Sequence, residues 1–242
     1  IPSSFYSSIE QFNKIRDNLF PKYWQFVCDQ KQLRNHGDAF PYDFIENFIK
    51  EPLVLVNNHG TINAMSNVCT HRGNILVEEP TNLNSGITCR YHGRKFDTCG
   101  KFKFMPKCED VENFPSENDN LTNIAINKWK QFYFTSISPE IGFNELIKEM
   151  DERIGWMPIE KFTFSKENSK EYIVNANWAL YCDNYLEGFH IPFVHQALTK
   201  NLNYAKYDTE LFQYSNLQLG IGKGDESCFN IPTSSIDHGK KI

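Results

Sequence analysis

Val68-Cys69-Thr70-His71-Arg72-Gly73 is followed, after residues 74–88, by Cys89-Arg90-Tyr91-His92-Gly93, so a Cys-x-His pair precedes a Cys-x-x-His pair. Each pair runs into a glycine, and two loops therefore offer one thiolate and one imidazole apiece. Glycine permits the tight turn and lets backbone N–H groups come close to a sulfur-rich group. Between the pairs, Ile75-Leu76-Val77 and Ile87-Thr88 have the character of short strands, and they are expected to draw the two loops together.

Two kinds of metal group suit this donor set. Zinc takes a tetrahedral Cys2His2 site, and a Rieske [2Fe–2S] centre takes two Cys on one iron and two His on the other. Structural zinc pairs usually leave two to four residues between ligands, which Cys-x-His does not. A Rieske centre sends the Cys and the His of one loop to different irons, so it accommodates the tighter pair.

Outward from this core the chain changes character twice. Phe5, Ile9, Phe12, Ile15 and Leu19 form a helical stripe, with Ser7 or Ser8 as its cap. From Tyr23 to about Phe134 short β-type runs (residues 23–27, 53–57 and 131–135) alternate with turn pairs such as His59-Gly60, Ser85-Gly86 and Cys99-Gly100, as in a compact antiparallel β unit. Helical spacing returns at Gly142–Ile154, a strand is expected at Lys170–Val174, and a helix at Trp178–Phe189. An α+β second domain is the expectation.

Composition excludes several function classes. Of 242 residues, 40% are hydrophobic and 14% aromatic, which rules out intrinsic disorder. A net charge of −5 gives no overall basic field for nucleic acid or an anionic membrane surface. No apolar run approaches the ~18 residues that cross a bilayer. Seven cysteines, an odd number in a chain of this length, fit a reducing, cytoplasmic compartment. The chain opens on Ile1 rather than Met, and a preceding stretch is expected.

A second constellation spans Asn177 to His195. His190 and His195 would lie on different faces of a straight helix, but Pro192 is expected to break the segment between them and turn both toward one metal. Two imidazoles and a carboxylate make the facial triad of non-haem Fe(II) oxygenases. Trp178, Tyr181, Tyr185, Phe189 and Phe193 lie close by in sequence and could form an aromatic cage for a cation, or simply pack in a core.

Cys-Thr-His-Arg-Gly from Cys69 and Cys-Arg-Tyr-His-Gly-Arg-Lys-Phe-Asp from Cys89, with Gly100 beyond, resemble the Rieske motif of non-haem iron oxygenase α subunits. Asn177, Asn184, Tyr185, Glu187, His190 and His195 resemble the catalytic signature of the same family, in the same order along the chain. The resemblance implies a Rieske antiparallel β domain inserted in or preceding a helix-grip (START-like) catalytic domain. The corresponding domains are 1–40, an N-terminal helix and strand associated with the catalytic domain; 41–125, the Rieske domain; and 126–242, the N-terminal part of the catalytic domain.

By the same resemblance, Cys69, His71, Cys89 and His92 hold the [2Fe–2S] cluster, and His190 and His195 hold a mononuclear iron. Glu187 is the acid that bridges a Rieske histidine to an iron histidine, with Asp183 as a lesser candidate. In this family the bridge crosses between subunits of a trimer, O2 is the co-substrate, and NAD(P)H supplies electrons through a reductase or ferredoxin. The respiratory-complex branch carries an extra cysteine in each loop, and Asn74 and Tyr91 stand here instead. Without that disulfide the cluster is expected toward the low end of the roughly −150 to +300 mV Rieske range.

Glu187 and the stretch from His92 to Asp97 look more like the choline, carnitine and glycine-betaine monooxygenase branch than like ring-hydroxylating dioxygenases. The rivals are such a dioxygenase, a Rieske ferredoxin-type carrier with no iron at His190 and His195, and a zinc-binding interaction module. Arg72, Arg90, Arg94, Lys95, Lys101, Lys103 and Lys107 surround the cluster motif and would steer an acidic reductase there. The family's third iron ligand lies well over a hundred residues past the two histidines, whereas here the chain stops at Ile242. Asp208, Glu210, Asp225, Glu226 and Asp237 follow no pattern that selects one, and an incomplete catalytic domain is expected.

Overall fold

The computed structural model of the chain describes residues 1–108, 110–224 and 228–242. It divides into two compact units, Asn13–Ile141 and a second formed by Ile1–Phe12 with Gly142–Ile242. The N-terminal stripe forms two helices instead of one, α1 (Ser4–Ser7) and α2 (Ile9–Asn18). Ser8 is extended, and its hydroxyl accepts from the Gln11 N–H at 3.3 Å, so the serine caps the second helix and ends the first.

Unit 13–141 is built on a seven-stranded sheet whose paired strands are all antiparallel. Its strands are β1 (Gln25–Asp29), β2 (Asp38–Ile45), β3 (Ile49–Asn58), β4 (Thr61–Ser66), β5 (Thr81–Asn82), β9 (Asn123–Trp129) and β10 (Phe132–Ser136), in the order β1-β10-β9-β4-β3-β2-β5. A smaller antiparallel sheet joins β6 (Ile87–Thr88), β7 (Lys95–Phe96) and β8 (Phe102–Phe104). The expected boundaries at 40/41 and 125/126 fall inside β2 and β9. β1, which sequence had placed with the catalytic domain, is hydrogen-bonded to β10 of this sheet.

Strand β3 lies in the interior of the sheet, between β4 and β2, and its Leu53-Val54-Leu55-Val56 run is apolar on both faces. Successive side chains leave a strand on opposite sides. Val54 and Val56 join a core with Met65, Leu76, Val77, Ile87, Phe96 and the two motif cysteines, while Leu55 joins Cys28, Leu33, Ala64 and Tyr133. Each such buried side chain contributes roughly 2 kcal/mol, and the first core is the floor on which both ligand loops rest.

The strand expected at Ile75-Leu76-Val77 does not form. An isolated bridge between Val68 and Ile75 closes the first loop. Beside it, the buried Asn67 side chain donates to the Val77 carbonyl at 2.7 Å and accepts from the Val77 N–H at 2.9 Å. A side-chain amide thus replaces a strand ladder, and each loop is closed on itself instead of through the other.

The second unit carries α3 (Phe143–Ile154), α4 (Trp178–Tyr185), α5 (Ile191–Val194), α6 (Gln196–Asn201) and a hairpin of β11 (Asp208–Leu211) with β12 (Asn216–Leu219). Residues 170–174 do not form the expected strand. Tyr172, Ile173 and Val174 are exposed and find no pairing partner among the described residues, and β-prone sequence without a neighbouring strand gains no ladder. The unit is cross-linked by buried Arg153 of α3. Its Nε donates to Asp237 at 2.7 Å and its Nη1 to Glu210 of β11 at 2.5 Å. No helix among the described residues is long and apolar enough to cross a membrane.

Candidate metal centres

The two Cys-His loops fold as near copies. In the first, the Cys69 N–H donates to the Asn74 carbonyl at 2.8 Å, and the Gly73 N–H donates back to the Cys69 carbonyl at 3.0 Å. In the second, Cys89 N–H donates to Arg94 and Gly93 N–H to Cys89, at the same 2.8 and 3.0 Å. Gly73 and Gly93 take φ of 70° and 72°, a left-handed conformation that costs glycine little. Sequence had identified both glycines, and the positive φ supplies the reason.

Cys69 and Cys89 are buried in the common core, and burial raises the Cys69 thiol, with neighbouring Cys89 adding to the effect. The His71 and His92 rings meet at 4.7 Å between centroids with 73° between planes. Nδ1 of His71 is buried without a protein partner, and burial, then His92, lowers the pKa of that imidazole. A buried neutral ring nitrogen with no donor or acceptor nearby is costly unless it ligates a metal. Two adjacent thiols, two adjacent imidazoles and an orphaned ring nitrogen fit a [2Fe–2S] group. Among the described residues no three His, Cys, Asp or Glu side chains converge on a single-ion site.

The second constellation surrounds a cavity of about 460 Å³ in the other unit, lined by Tyr181, Tyr185, Glu187, His190, His195 and Tyr207 among others. Helix α4 begins at Asn177, whose side chain accepts from the Ala179 N–H at 2.9 Å, and it ends at Tyr185 instead of reaching Phe189. The break between the histidines differs from expectation. Ile191 is helical and Pro192 lies in the first turn of α5, where the missing N–H costs nothing, so proline starts a helix here rather than interrupting one. The turn is made at residues 186–190. A Cβ on Gly188 would stand 2.6 Å from Cε1 of Tyr207, so only glycine fits against that ring.

The turn brings the His190 and His195 rings to 5.0 Å between centroids at 70°. Nδ1 of His190 is hydrogen-bonded to Glu187, and this contact is the first cause holding the Glu187 carboxyl below its usual range. With Nδ1 occupied, Nε2 of His190 is the nitrogen left for a metal, the carboxylate–histidine arrangement common behind metal-bound imidazoles. These residues fit one face of a mononuclear iron site.

Asp183 is turned elsewhere, accepting from the Tyr6 hydroxyl, and it does not line the cavity. Of the five aromatic cage candidates only Tyr181 and Tyr185 line it; Phe189 and Phe193 are exposed, and Trp178 is not among the lining residues. Sequence reasoning missed Tyr207 and Gln218, which reach the cavity from the β11–β12 hairpin. Gln218 accepts from the Tyr207 hydroxyl and donates to the Tyr185 carbonyl at 2.7 Å. No local motif announces them, because a hairpin's contribution to a distant cavity is a tertiary fact.

The candidate third ligands are otherwise placed. Glu210 and Asp237 are held by Arg153, Asp208 accepts from the Thr209 N–H at 2.9 Å on the exposed hairpin, and Asp225 and Glu226 lie outside the described residues. Arg94, expected on a basic docking surface, is buried and ion-paired with Asp119, so it leaves that surface.

The Rieske [2Fe-2S] domain family matches residues 23–115, and the ring hydroxylating alpha subunit catalytic domain family matches residues 160–226. The carnitine monooxygenase oxygenase subunit of Acinetobacter pittii is 27% identical over 98% of this chain and 63% of its own length. That of Escherichia coli K12 is 27% identical over 99% and 64%. The chloroplastic choline monooxygenase of Arabidopsis thaliana is 25% identical over 90% and 53%. The chain therefore spans less than two thirds of the length of these relatives. A crystal structure of the quaternary ammonium Rieske monooxygenase CntA superposes with a TM-score of 0.76 at 23% identity, covering 92% of this chain and 62% of that one. A Rhodococcus naphthalene 1,2-dioxygenase reaches 0.63 at 20% identity over 83% and 46%. Both show the shared fold.

Proposed function

We propose that this chain, which carries a Rieske domain followed by part of a ring-hydroxylating α-subunit catalytic domain, is an oxygenase component that hydroxylates a small quaternary ammonium compound. The observation that carries the proposal is the pair of matching loops that sets Cys69 beside Cys89 and His71 beside His92 over one apolar core. The family matches imply a [2Fe–2S] cluster and a non-haem iron with O2 as co-substrate. These groups would supply electron storage and oxygen activation. Overall, O2, two electrons and two protons convert a substrate C–H to C–OH and water.

The chain's own residues have the remaining tasks. Cys69, His71, Cys89 and His92 hold the cluster, and His190 and His195 hold the iron. Glu187 fixes the His190 ring through Nδ1 and is the bridging acid toward a cluster histidine; Asp183, the lesser candidate for that bridge, accepts from the Tyr6 hydroxyl and does not line the cavity. Tyr181, Tyr185 and Tyr207 give the cavity aromatic walls and Glu187 gives it negative charge, a setting suited to a cation without N–H donors. The CntA structures are described with L-carnitine and γ-butyrobetaine as substrates, which accords with that chemistry.

Electrons enter from a reductase or ferredoxin fed by NAD(P)H, steered by exposed Arg72, Arg90, Lys95, Lys101 and Lys107. A homotrimer is the proposed assembly. Phe189, Phe193 and Val194 are exposed beside His195, as a surface awaiting a neighbouring subunit would be, and one CntA structure is described as revealing inter-subunit electron transfer. The compartment is cytoplasmic, supported by the five cysteines outside the cluster ligands, none of which is in a disulfide.

The test is iron and acid-labile sulfide per chain on anaerobically purified protein, with EPR after reduction, followed by O2 uptake with choline, carnitine and glycine betaine. About three iron and two sulfide with quaternary-ammonium-dependent uptake is the expected result. A cis-diol from an aromatic substrate would replace the monooxygenase with a dioxygenase, and two iron with two sulfide would remove His190 and His195 as a site in this chain.

A further inference from the structure

Arg94 sits two residues beyond His92 and is only 2% exposed. Its guanidinium carbon stands 4.9 Å from the Phe102 ring centroid, 5.6 Å from Phe114 and 5.8 Å from Phe96, so an aromatic box encloses the charge. Asp119 provides the counter-charge, ion-paired with Nη2. Burial alone would raise the Asp119 carboxyl; the Ser116 N–H and Arg94 outweigh it and hold the group below its usual range.

Asp119 is also the meeting point of the two ligand loops. Its carbonyl accepts from the Thr70 hydroxyl at 2.9 Å, between Cys69 and His71, and its carboxylate takes Arg94, whose own carbonyl closes the second loop on Cys89. Among the described residues no strand pairing joins the two loops, so this clasp supplies a connection that the small sheet does not.

We propose that the Arg94–Asp119 pair is a positioning device of the cluster site: it clasps the two ligand loops, and the enclosed guanidinium makes the cluster easier to reduce. The inference rests on the Rieske reading above and assigns a role to two residues outside the ligand set. One-electron reduction adds one negative charge to the cluster, the electron coming from the external reductase, and a fixed cation in a poorly hydrated site stabilises that charge. Asp119, ion-paired with Nη2, damps the cation.

The pair therefore makes opposite predictions for its two members, which a purely structural clasp does not. Wild type, Arg94→Gln, Arg94→Lys and Asp119→Asn are compared by iron and sulfide content and by potentiometric titration of the cluster followed by EPR. Arg94→Gln is expected to lower the reduced-to-oxidised ratio about tenfold at fixed poise, about 59 mV for a one-electron couple. Asp119→Asn is expected to shift the ratio the other way, and Arg94→Lys to stay near wild type. Shifts of the same sign in the Gln and Asn variants, or none in either with the cluster retained, overturn the proposal. Should Arg94→Gln not assemble a cluster, Asp119→Asn and Arg94→Lys decide by the same criteria. A wild-type cluster without oxygenase activity would sink only the proposed function, whereas a wild type without iron and sulfide would sink both.

Discussion

The imidazoles of His190 and His195 meet edge to face, 5.0 Å between ring centroids, although five positions separate them and no continuous helix joins them. The turn at residues 186–190 does the work, and only afterwards does Pro192 open α5. If these rings hold the iron, His190→Ala and His195→Ala each remove it without touching the other unit. Iron is expected to fall to about two per chain against an unchanged two sulfides, with the cluster's EPR signal intact. Loss of sulfide together with iron would show that the two groups are not assembled independently.

Glu187 lies three positions before His190 and engages its Nδ1. Glu187→Gln keeps a hydrogen-bonding oxygen but removes the charge that orients the ring and raises its basicity. Outer carboxylates of this kind typically matter 10–100-fold, so turnover should drop by about that factor. Iron and sulfide content stay at the wild-type values. A variant with wild-type turnover would release Glu187 from the pathway.

How much of this was legible in the sequence depends on how local each feature is. Both ligand loops could be read directly, because Cys-x-His and Cys-x-x-His with their glycines carry the whole turn within six residues. The Leu53–Val56 run announced a strand, and its place inside the sheet, flanked on both sides, accords with its having no polar face. Residues 170–174 misled for the converse reason: Tyr172, Ile173 and Val174 have strand-forming side chains, but a strand exists only with a partner. Pro192 misled because proline both ends helices and begins them, and which applies depends on where the preceding turn falls. Tyr207, Gln218 and the Arg94–Asp119 clasp carry no local pattern at all.

Asn67 is another such feature. Its amide satisfies both the N–H and the carbonyl of Val77, 2.9 and 2.7 Å away, in the buried approach to Cys69. Asn67→Ala leaves both backbone groups without partners. The expected cost is about 3 kcal/mol of stability in unit 13–141, read from denaturant unfolding, with weakened cluster retention. A loss under 1 kcal/mol would mean that water reaches Val77 and the amide is replaceable.

The buried Arg153 makes the second unit's stability depend on pH. The Glu210 carboxyl is held below its ordinary 4.5, first by Arg153. Asp237 is held below its ordinary 3.8, since Arg153 and Lys240 together outweigh the opposing effect of burial. Because both folded-state values lie below the unfolded ones, their stabilisation is fully present above about pH 5 and is lost as pH falls through the folded values. The melting temperature should therefore hold steady from neutrality to about pH 5 and then decline. Asp237→Ala should lower stability at neutral pH by about 3 kcal/mol, because it strips a buried guanidinium of one of its two carboxylates. It should also flatten the acid decline, since one of the two titrating partners is gone. An acid decline equally steep in the variant would place the responsible carboxylates elsewhere in the fold.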